Sequence, residues 1–77
     1  MAEFGDRIKE LRIKAGETQE EFGNRFGLSR SQIKDIETGR TKNANLNFVR
    51  EVAIYCNTDY NYILGYDIVT SNTTNNI

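Results

Sequence analysis

The sequence predicts an all-α domain built from five short helices. Apolar residues recur three and four positions apart in successive stretches, which is the spacing of one face of a helix. Residues that cap helix N-termini precede most of these stretches, and a glycine or an asparagine follows each of them. No stretch predicts a β-strand. With 77 residues, the chain is one domain whose hydrophobic core is small.

The first helix is predicted to run from about Phe4 to about Ala15. Phe4, Ile8, Leu11 and Ala15 keep helical spacing, and Gly16 follows as the terminator. Most of the basic residues in this stretch are expected to form a solvated face.

The second helix is predicted from a capping box and a pair of phenylalanines. The Thr18 hydroxyl can accept a bond from the Glu21 amide, while the Glu21 carboxylate reaches back to the Thr18 amide. Phe22 and Phe26 lie four residues apart on one face. Gly27 follows, at the point where a chain leaving a helix often needs a left-handed residue.

The third helix is predicted in the same way. Ser29 and Gln32 form a second capping box, Ile33 and Ile36 mark the buried side, and Gly39 ends the helix. At about 100° per residue, the outer side carries polar residues. These are Ser31, Lys34, Asp35 and Thr38, with Arg30 in the first turn.

Two short helices joined by a glycine-containing turn are typical of the helix-turn-helix unit, whose second helix is usually presented to DNA. The alternative is a plain pair of core helices. Two caps, a single-glycine turn and a polar outer face together exceed what packing alone requires. Arg30 would project past the N-terminus of the third helix, which is the end that enters the major groove.

The last two helices are predicted from Asn45 to about Cys56 and from residue 58 or 59 to Gly65. Asn45 caps the first of them, Asn57 stops it in a left-handed conformation, and either Thr58 or Asp59 caps the second. Residues 1–66 are assigned to the domain and residues 67–77 to a polar C-terminal tail or linker. The apolar stripes are Leu46, Val49, Val52 and Ala53, then Tyr60, Ile63 and Leu64.

The composition argues against several classes of protein. The chain has no histidine, no evident nucleophile and base pair, no metal-ligand cluster and no phosphate-binding glycine loop. We therefore expect no enzyme activity, no metal, no cofactor and no small-molecule substrate. Cys56 is the only cysteine and is predicted to be a small buried residue. No apolar run reaches the roughly 20 residues that span a bilayer, so we expect a cytoplasmic protein without a membrane partner.

The charge is unevenly distributed although its net value is −1. Between Arg25 and Arg50, six basic residues stand against Asp35 and Glu37, with Glu51 just outside. Most other acidic residues lie in the first two helices. This asymmetry predicts a dipolar molecule with one basic side.

Five short motifs follow one another between Phe4 and Gly65. They are Arg7–Arg12, Thr18–Glu21, Gly27–Ser29, Ile33–Gly39 and Tyr62–Gly65. In order and spacing they resemble the lambda-repressor-like (Cro/Xre-type) helix-turn-helix DNA-binding family. The resemblance implies a compact five-helix fold around the helix-turn-helix. Gly23 stands where that family usually has alanine, and it would let two helices approach closely.

The resemblance also implies roles for individual residues. Arg30, Ser31 and Asp35 would meet base edges, and Gln32 and Lys34 would reach bases or phosphates. Arg12 would pair with Glu37 and tie the first helix to the third. The expected phosphate-binding residues are Gln19, Ser29, Lys34, Arg40, Thr41, Lys42 and Asn43. The last four lie in a loop for which the alternative is an ordinary polar connector, and its position directly after the third helix favours phosphate binding.

The predicted function is that of a sequence-specific transcriptional regulator, more often a repressor in the resembled family. One module buries too little surface for tight binding, so we expect a homodimer on a two-fold operator. The alternative is a protein-interaction or antitoxin module with the same fold and secondary DNA binding. The chain could also be the DNA-binding piece of a longer repressor. The expected dimer interface is Tyr60, Tyr62, Leu64, Tyr66 and Ile68.

Overall fold

The computed structural model describes residues 4–41 and 45–64, which form five α-helices and no strand. This confirms the all-α prediction, and the helix ends that fall in the described residues lie within one or two residues of their predicted positions. The predicted end of the last helix at Gly65, the domain boundary after residue 66 and the polar tail lie outside the described residues. The helices are α1 (Phe4–Lys14), α2 (Gln19–Arg25), α3 (Arg30–Glu37), α4 (Leu46–Tyr55) and α5 (Tyr60–Leu64).

Both predicted capping boxes are formed. Thr18 Oγ1 accepts from the Glu21 N–H at 3.1 Å, and the Thr18 N–H donates to Glu21 Oε1 at 2.9 Å. Ser29 and Gln32 make the same two bonds at 3.1 and 2.8 Å. Each box satisfies two backbone donors that would otherwise lack a partner, and so fixes where its helix begins.

The caps around α4 and α5 also follow the sequence. Asn45 Oδ1 accepts backbone N–H groups in the first turn of α4, and Asn57 adopts the predicted left-handed conformation with a φ of +53°. Asp59 rather than Thr58 caps α5, because its Oδ1 accepts from the Asn61 N–H at 3.1 Å. The link between α4 and α5 is therefore short and conformationally fixed.

The core is one cluster of buried apolar side chains to which all five helices contribute. The sequence places Ala15 and Leu46 in the apolar stripes, and both predictions are wrong. Ala15 is exposed because it follows the last residue of α1. Leu46 is 58% exposed, because the buried side of α4 is centred on Phe48, Val49 and Val52, about 110° away. The core residues are Ile8, Leu11, Phe22, Ile33, Ile36, Phe48, Val49, Val52 and Ile63.

Two glycines allow α3 and the turn before it to sit very close to α1 and α2. A methyl group on Gly5 would clash with the carbonyl oxygen of Ile36. A methyl group on Gly23 would lie 2.6 Å from the carbonyl oxygen of Leu28 and 3.1 Å from Cγ1 of Ile33. The close approach predicted for Gly23 is thus confirmed, and Gly5 makes a second one that the sequence analysis missed.

Aromatic rings hold α4 against α1 and α2. Phe26 makes edge-on contacts with Phe22, Phe48 and Tyr55 at centroid distances of 5.0, 5.5 and 5.9 Å. Phe4 meets Phe48 edge-on at 6.5 Å. Such pairs stabilise packing beyond the area they bury. The chain of rings therefore runs from the buried core out to Tyr55 at the surface and positions the helix-turn-helix.

Candidate nucleic-acid interface

The outer side of α3 is polar and open to solvent. Arg30, Ser31, Lys34 and Thr38 are all exposed, and they fall within about 100° of the helix circumference. Among the described residues, the side chains of Arg30, Ser31 and Lys34 make no hydrogen bond or ion pair. Within the part of the chain that the structure describes, two cations and a hydroxyl are therefore presented together with their polar groups unpaired.

The other two predicted base-reading residues already have contacts. Gln32 lies at the edge of this surface, and its Oε1 accepts the Ser29 N–H in the capping box. Its amide can still donate two hydrogen bonds. Asp35 is partly exposed, and its Oδ1 lies 3.7 Å from Nε of Arg40. The outer surface thus carries one acidic group that is partly neutralised by a cation from the following loop.

The predicted phosphate-binding residues occupy several positions around this surface. Lys34 is exposed on α3, and Arg40 and Thr41 are exposed just after it. The Thr41 N–H donates to the carbonyl oxygen of Asp35 at 3.0 Å, which folds the start of the loop back onto α3. Ser29 Oγ accepts the Gln32 N–H. Lys42 and Asn43 lie outside the described residues.

A buried ion pair fixes the inner side of α3. Arg12 Nε lies 2.6 Å from Glu37 Oε2, Arg12 Nη2 donates to Glu37 Oε1 at 3.1 Å, and Arg12 Nη1 donates to the carbonyl oxygen of Glu17 at 2.9 Å. The Glu37 side chain is only 3% exposed. This is the pair that the family resemblance implied, and it joins α1 to the end of α3.

Gln19 belongs to the same cluster. Its Nε2 donates to Glu37 Oε1 at 3.1 Å, so one of the two N–H groups expected to face a phosphate is directed at a carboxylate. The sequence analysis missed this bond. A signal for it did exist, because a carboxylate can accept about four hydrogen bonds and a single arginine fork fills only two of these positions. The cluster now connects three helices.

The start of α2 and the start of α3 share one open groove. Its lining includes Gln19 from α2 and Arg30 from α3. The structure therefore brings one predicted phosphate-binding residue and one predicted base-reading residue to the same side of the molecule. The remaining lining residues are Arg12, Thr18 and Glu20.

Residues 3–60 match a protein family described as a helix-turn-helix domain. The chain belongs to this family. The match covers α1 to α4 completely, and with them the whole of the surface described above. No curated protein and no solved structure matches the chain. Family membership indicates DNA as the partner and a role in transcription regulation, and such domains are typically not enzymes.

One further residue of the helix-turn-helix domain is used internally. Arg25 Nη2 lies 2.6 Å from Glu17 Oε2, its guanidinium stacks 4.0 Å from the ring centroid of Tyr55, and the Tyr55 hydroxyl donates to the same Glu17 oxygen. The hydrogen bonds from Arg25 and Tyr55 lower the pKa of Glu17. Arg25 therefore ties α2 to α4 and does not add a free charge to the basic middle of the chain.

Three of the five residues of the predicted dimer interface are described by the structure, and all three have contacts within one subunit. Tyr60 and Leu64 are partly buried and pack against the core. The Tyr62 hydroxyl donates to Glu10 Oε1 at 2.6 Å, which raises the pKa of Tyr62, and the Arg7 guanidinium lies 4.2 Å from its ring centroid. Tyr66 and Ile68 lie outside the described residues.

None of the helices in residues 4–41 and 45–64 is long and apolar enough to cross a membrane.

Proposed function

We propose that this protein is a cytoplasmic, sequence-specific regulator of transcription of the lambda-repressor-like, Cro/Xre type, and that it acts as a repressor on double-stranded DNA. The observation that carries the proposal is the outer side of α3. Arg30, Ser31 and Lys34 are exposed there without hydrogen-bond or ion-pair partners among the described residues, while the opposite side is bound to α1 and α2. A rigid helix with a bare polar face suits the major groove.

Base readout would fall to the first turns of α3. Arg30 can donate two parallel hydrogen bonds to guanine O6 and N7, which discriminates by about 1 to 3 kcal/mol. Asp35 can accept from the exocyclic amine of cytosine once Arg40 moves to a phosphate. Ser31 discriminates weakly, and Gln32 would donate through its free amide group.

Affinity would come chiefly from the DNA backbone. Lys34, Arg40 and Thr41 are exposed beside the reading face, and Gln19 retains one N–H for a phosphate oxygen. Ser29, Lys42 and Asn43 complete the proposed set. A homodimer on a two-fold operator would double these contacts, with half-sites about one helical turn apart. Bound there, a compact domain would block polymerase.

A second candidate is a protein-interaction or antitoxin module with the same fold. The pairing of Asp35 with Arg40 favours this alternative. Asp35 places a negative charge on the outer side of α3, and the pairing occupies one of the exposed cations. A surface of mixed charge attracts phosphates less than a purely basic one. In that case DNA binding would be weak and similar for all sequences.

Selection of binding sites from random DNA tests the proposal directly. We expect a two-fold motif, and specific binding whose logarithmic salt dependence is steep, since each neutralised phosphate adds about 0.9 to the slope. Failure to enrich any motif would favour the protein-interaction alternative.

Two substitutions then separate the recognition of bases from the binding of the DNA backbone. Arg30→Ala is expected to cost about 1 to 3 kcal/mol on the selected site and little on random DNA. Lys34→Ala should weaken both kinds of DNA alike and reduce the salt slope by about 1. Lys9→Ala, an exposed cation on α1, is the control and should change neither. Equal losses on both DNAs for Arg30→Ala would remove Arg30 from the reading residues.

A further inference from the structure

The outer side of α4 carries apolar side chains that nothing in the described residues covers. Ile54 is 72% exposed, the highest value among the large exposed hydrophobic residues of the described part. Leu46, on the same side of the helix, is 58% exposed. The buried side of α4 faces the core through Phe48, Val49 and Val52. Single exposed aliphatic residues are common on protein surfaces, so the case for a partner rests on the charged residues beside them.

The polar groups on this face are arranged in a self-complementary way. Asn47 and Ile54 are seven residues apart, so they lie on one line along the middle of the exposed side. At about 100° per residue, Arg50 and Glu51 fall about 50° to either side of that line. Among the described residues, neither the Arg50 nor the Glu51 side chain has an ion pair or a hydrogen bond, and both are exposed.

We propose that two copies of the chain associate through this face of α4. The two α4 helices lie side by side, and the two-fold axis is parallel to them and between them. Such an axis brings Ile54 against Ile54 of the second copy. It also places each Arg50 beside Glu51 of the second copy, because the rotation carries one flank of the helix onto the other. Asn47 meets its own copy, and paired asparagines at such a position favour parallel two-stranded packing.

The charges decide the direction of the two helices. If α4 packed antiparallel to its copy, both Arg50 side chains would fall on the same flank near the axis, as would both Glu51 side chains. Like charges in that position repel, whereas the parallel arrangement forms two opposite-charge pairs. A partner of one uniform charge would complement only half of this face. A second copy complements all of it.

This inference names the surface through which the proposed dimer forms. It rests on the proposed function only where operator binding is concerned. It replaces an interface centred on α5, where Tyr62 already donates to Glu10 and stacks on Arg7 within the subunit. A helix of ten residues offers less area than stable dimers bury, so association of the free protein should be weak. Dimerisation must therefore be measured at protein concentrations up to about 1 mM.

Sedimentation equilibrium over a concentration series tests the apolar centre of the contact. We expect a monomer–dimer equilibrium, and Ile54→Glu should raise the dissociation constant by at least about tenfold. Ile13→Glu is the matched control, because Ile13 is another exposed isoleucine, 58% exposed on α1, and this variant should dimerise like the unchanged protein. A protein that stays monomeric at 1 mM, or a dimer indifferent to Ile54→Glu, would overturn the proposal.

Exchange of the two charges tests the direction of packing. Arg50→Glu and Glu51→Arg should each weaken the dimer, because each leaves like charges opposite one another. The double variant restores both pairs and should recover most of the affinity, a result that loss of folding could not give. Two weakened single variants without recovery in the double variant would contradict the parallel arrangement.

Binding to a single half-site separates this inference from the proposed function. Ile54→Glu should bind a half-site as the unchanged protein does and lose affinity only on the two-fold site. Arg30→Ala should weaken binding to the half-site and leave the dimer unchanged. Loss of half-site binding in Ile54→Glu, with the fold intact by circular dichroism, would count against an interface role for α4.

Discussion

The two sides of α3 differ in what their side chains contact. On the inner side, Ile33 is fully buried and the Glu37 carboxylate accepts hydrogen bonds from Arg12 and Gln19. On the outer side, the side chains of Arg30 and Lys34 contact no partner among the described residues. One helix of eight residues thus separates two tasks. The inner side holds the helix in place, and the outer side is left for binding.

This separation has a consequence for mutation. Changes on the inner side should alter the free energy of unfolding and affect DNA binding only through folding. Changes on the outer side should alter DNA binding and leave the free energy of unfolding nearly unchanged. The substitutions below test that division, beginning with the one that should destabilise the protein most.

Replacing Glu37 by alanine should cost about 3 to 5 kcal/mol of unfolding free energy. The Glu37 side chain is 3% exposed, so its removal leaves the Arg12 guanidinium poorly solvated and without its two carboxylate contacts. Denaturation by urea measures the effect. Glu20→Ala, an exposed carboxylate on α2, should stay within about 0.5 kcal/mol of the unchanged protein. A loss below about 1 kcal/mol for Glu37→Ala would mean that α1 and α3 are held by the apolar core alone.

Replacing Gly23 by alanine should destabilise the domain by about 1 to 3 kcal/mol, because the new methyl group would press on the carbonyl oxygen of Leu28. Helix propensity alone predicts the opposite sign, a gain of up to about 1 kcal/mol. Asn24→Ala on the same helix is the control, since Asn24 is exposed and should respond to propensity only. Thermal unfolding of both variants decides whether close packing outweighs propensity. A stabilised Gly23→Ala protein would refute the close approach.

Local signals made much of the fold predictable. The Thr18 and Ser29 caps and the left-handed positions at Gly27 and Asn57 depend on residues within a few positions of one another. These signals fixed where the helices begin and end. The division of α3 into a buried and an open side followed from the spacing of its two isoleucines.

The contacts that hold the helices together were harder to predict, because they join distant parts of the chain. The close approach at Gly5 depends on the backbone of α3, some thirty residues away in the sequence. The Gln19–Glu37 bond and the Tyr55–Glu17 bond join residues 18 and 38 positions apart. In α4, spacing alone did not decide whether Leu46 or Phe48 turns inward, since that depends on where the aromatic rings of the other helices lie.

A network nearer the surface provides a milder test, because the Arg25 side chain of its ion pair is 42% exposed, whereas both side chains of the Arg12–Glu37 pair are largely buried. The contacts of Glu17 with Arg25 and Tyr55 lower its folded pKa below the ordinary value of 4.5. Their stabilising contribution is therefore present above about pH 4.5 and is lost as the pH falls through the lower, folded value. Solvent reaches the Arg25 side of this ion pair and screens it, so the effect should be small.

The urea concentration at the midpoint of unfolding, measured at pH 7 and pH 3, should reveal the contribution of the Glu17 network. The unchanged protein should lose more stability between these two values than Glu17→Gln does, since the variant has no carboxylate to protonate at this position. Glu20→Gln, which changes an exposed carboxylate of α2 without a partner among the described residues, serves as the control and should behave like the unchanged protein. An identical loss in Glu17→Gln would show that the network does not hold the end of α4.

The smallest expected change in stability belongs to the outer side of α3. A double Arg30→Ala, Lys34→Ala variant should unfold within about 0.5 kcal/mol of the unchanged protein, because neither side chain has a contact to lose among the described residues. The same variant should bind the selected operator poorly, with a shallower salt dependence. If it also lost stability, the outer side would be packed against something, and α3 would no longer divide into a structural side and a binding side. Urea denaturation and operator titration of this one protein therefore examine both halves of the comparison together.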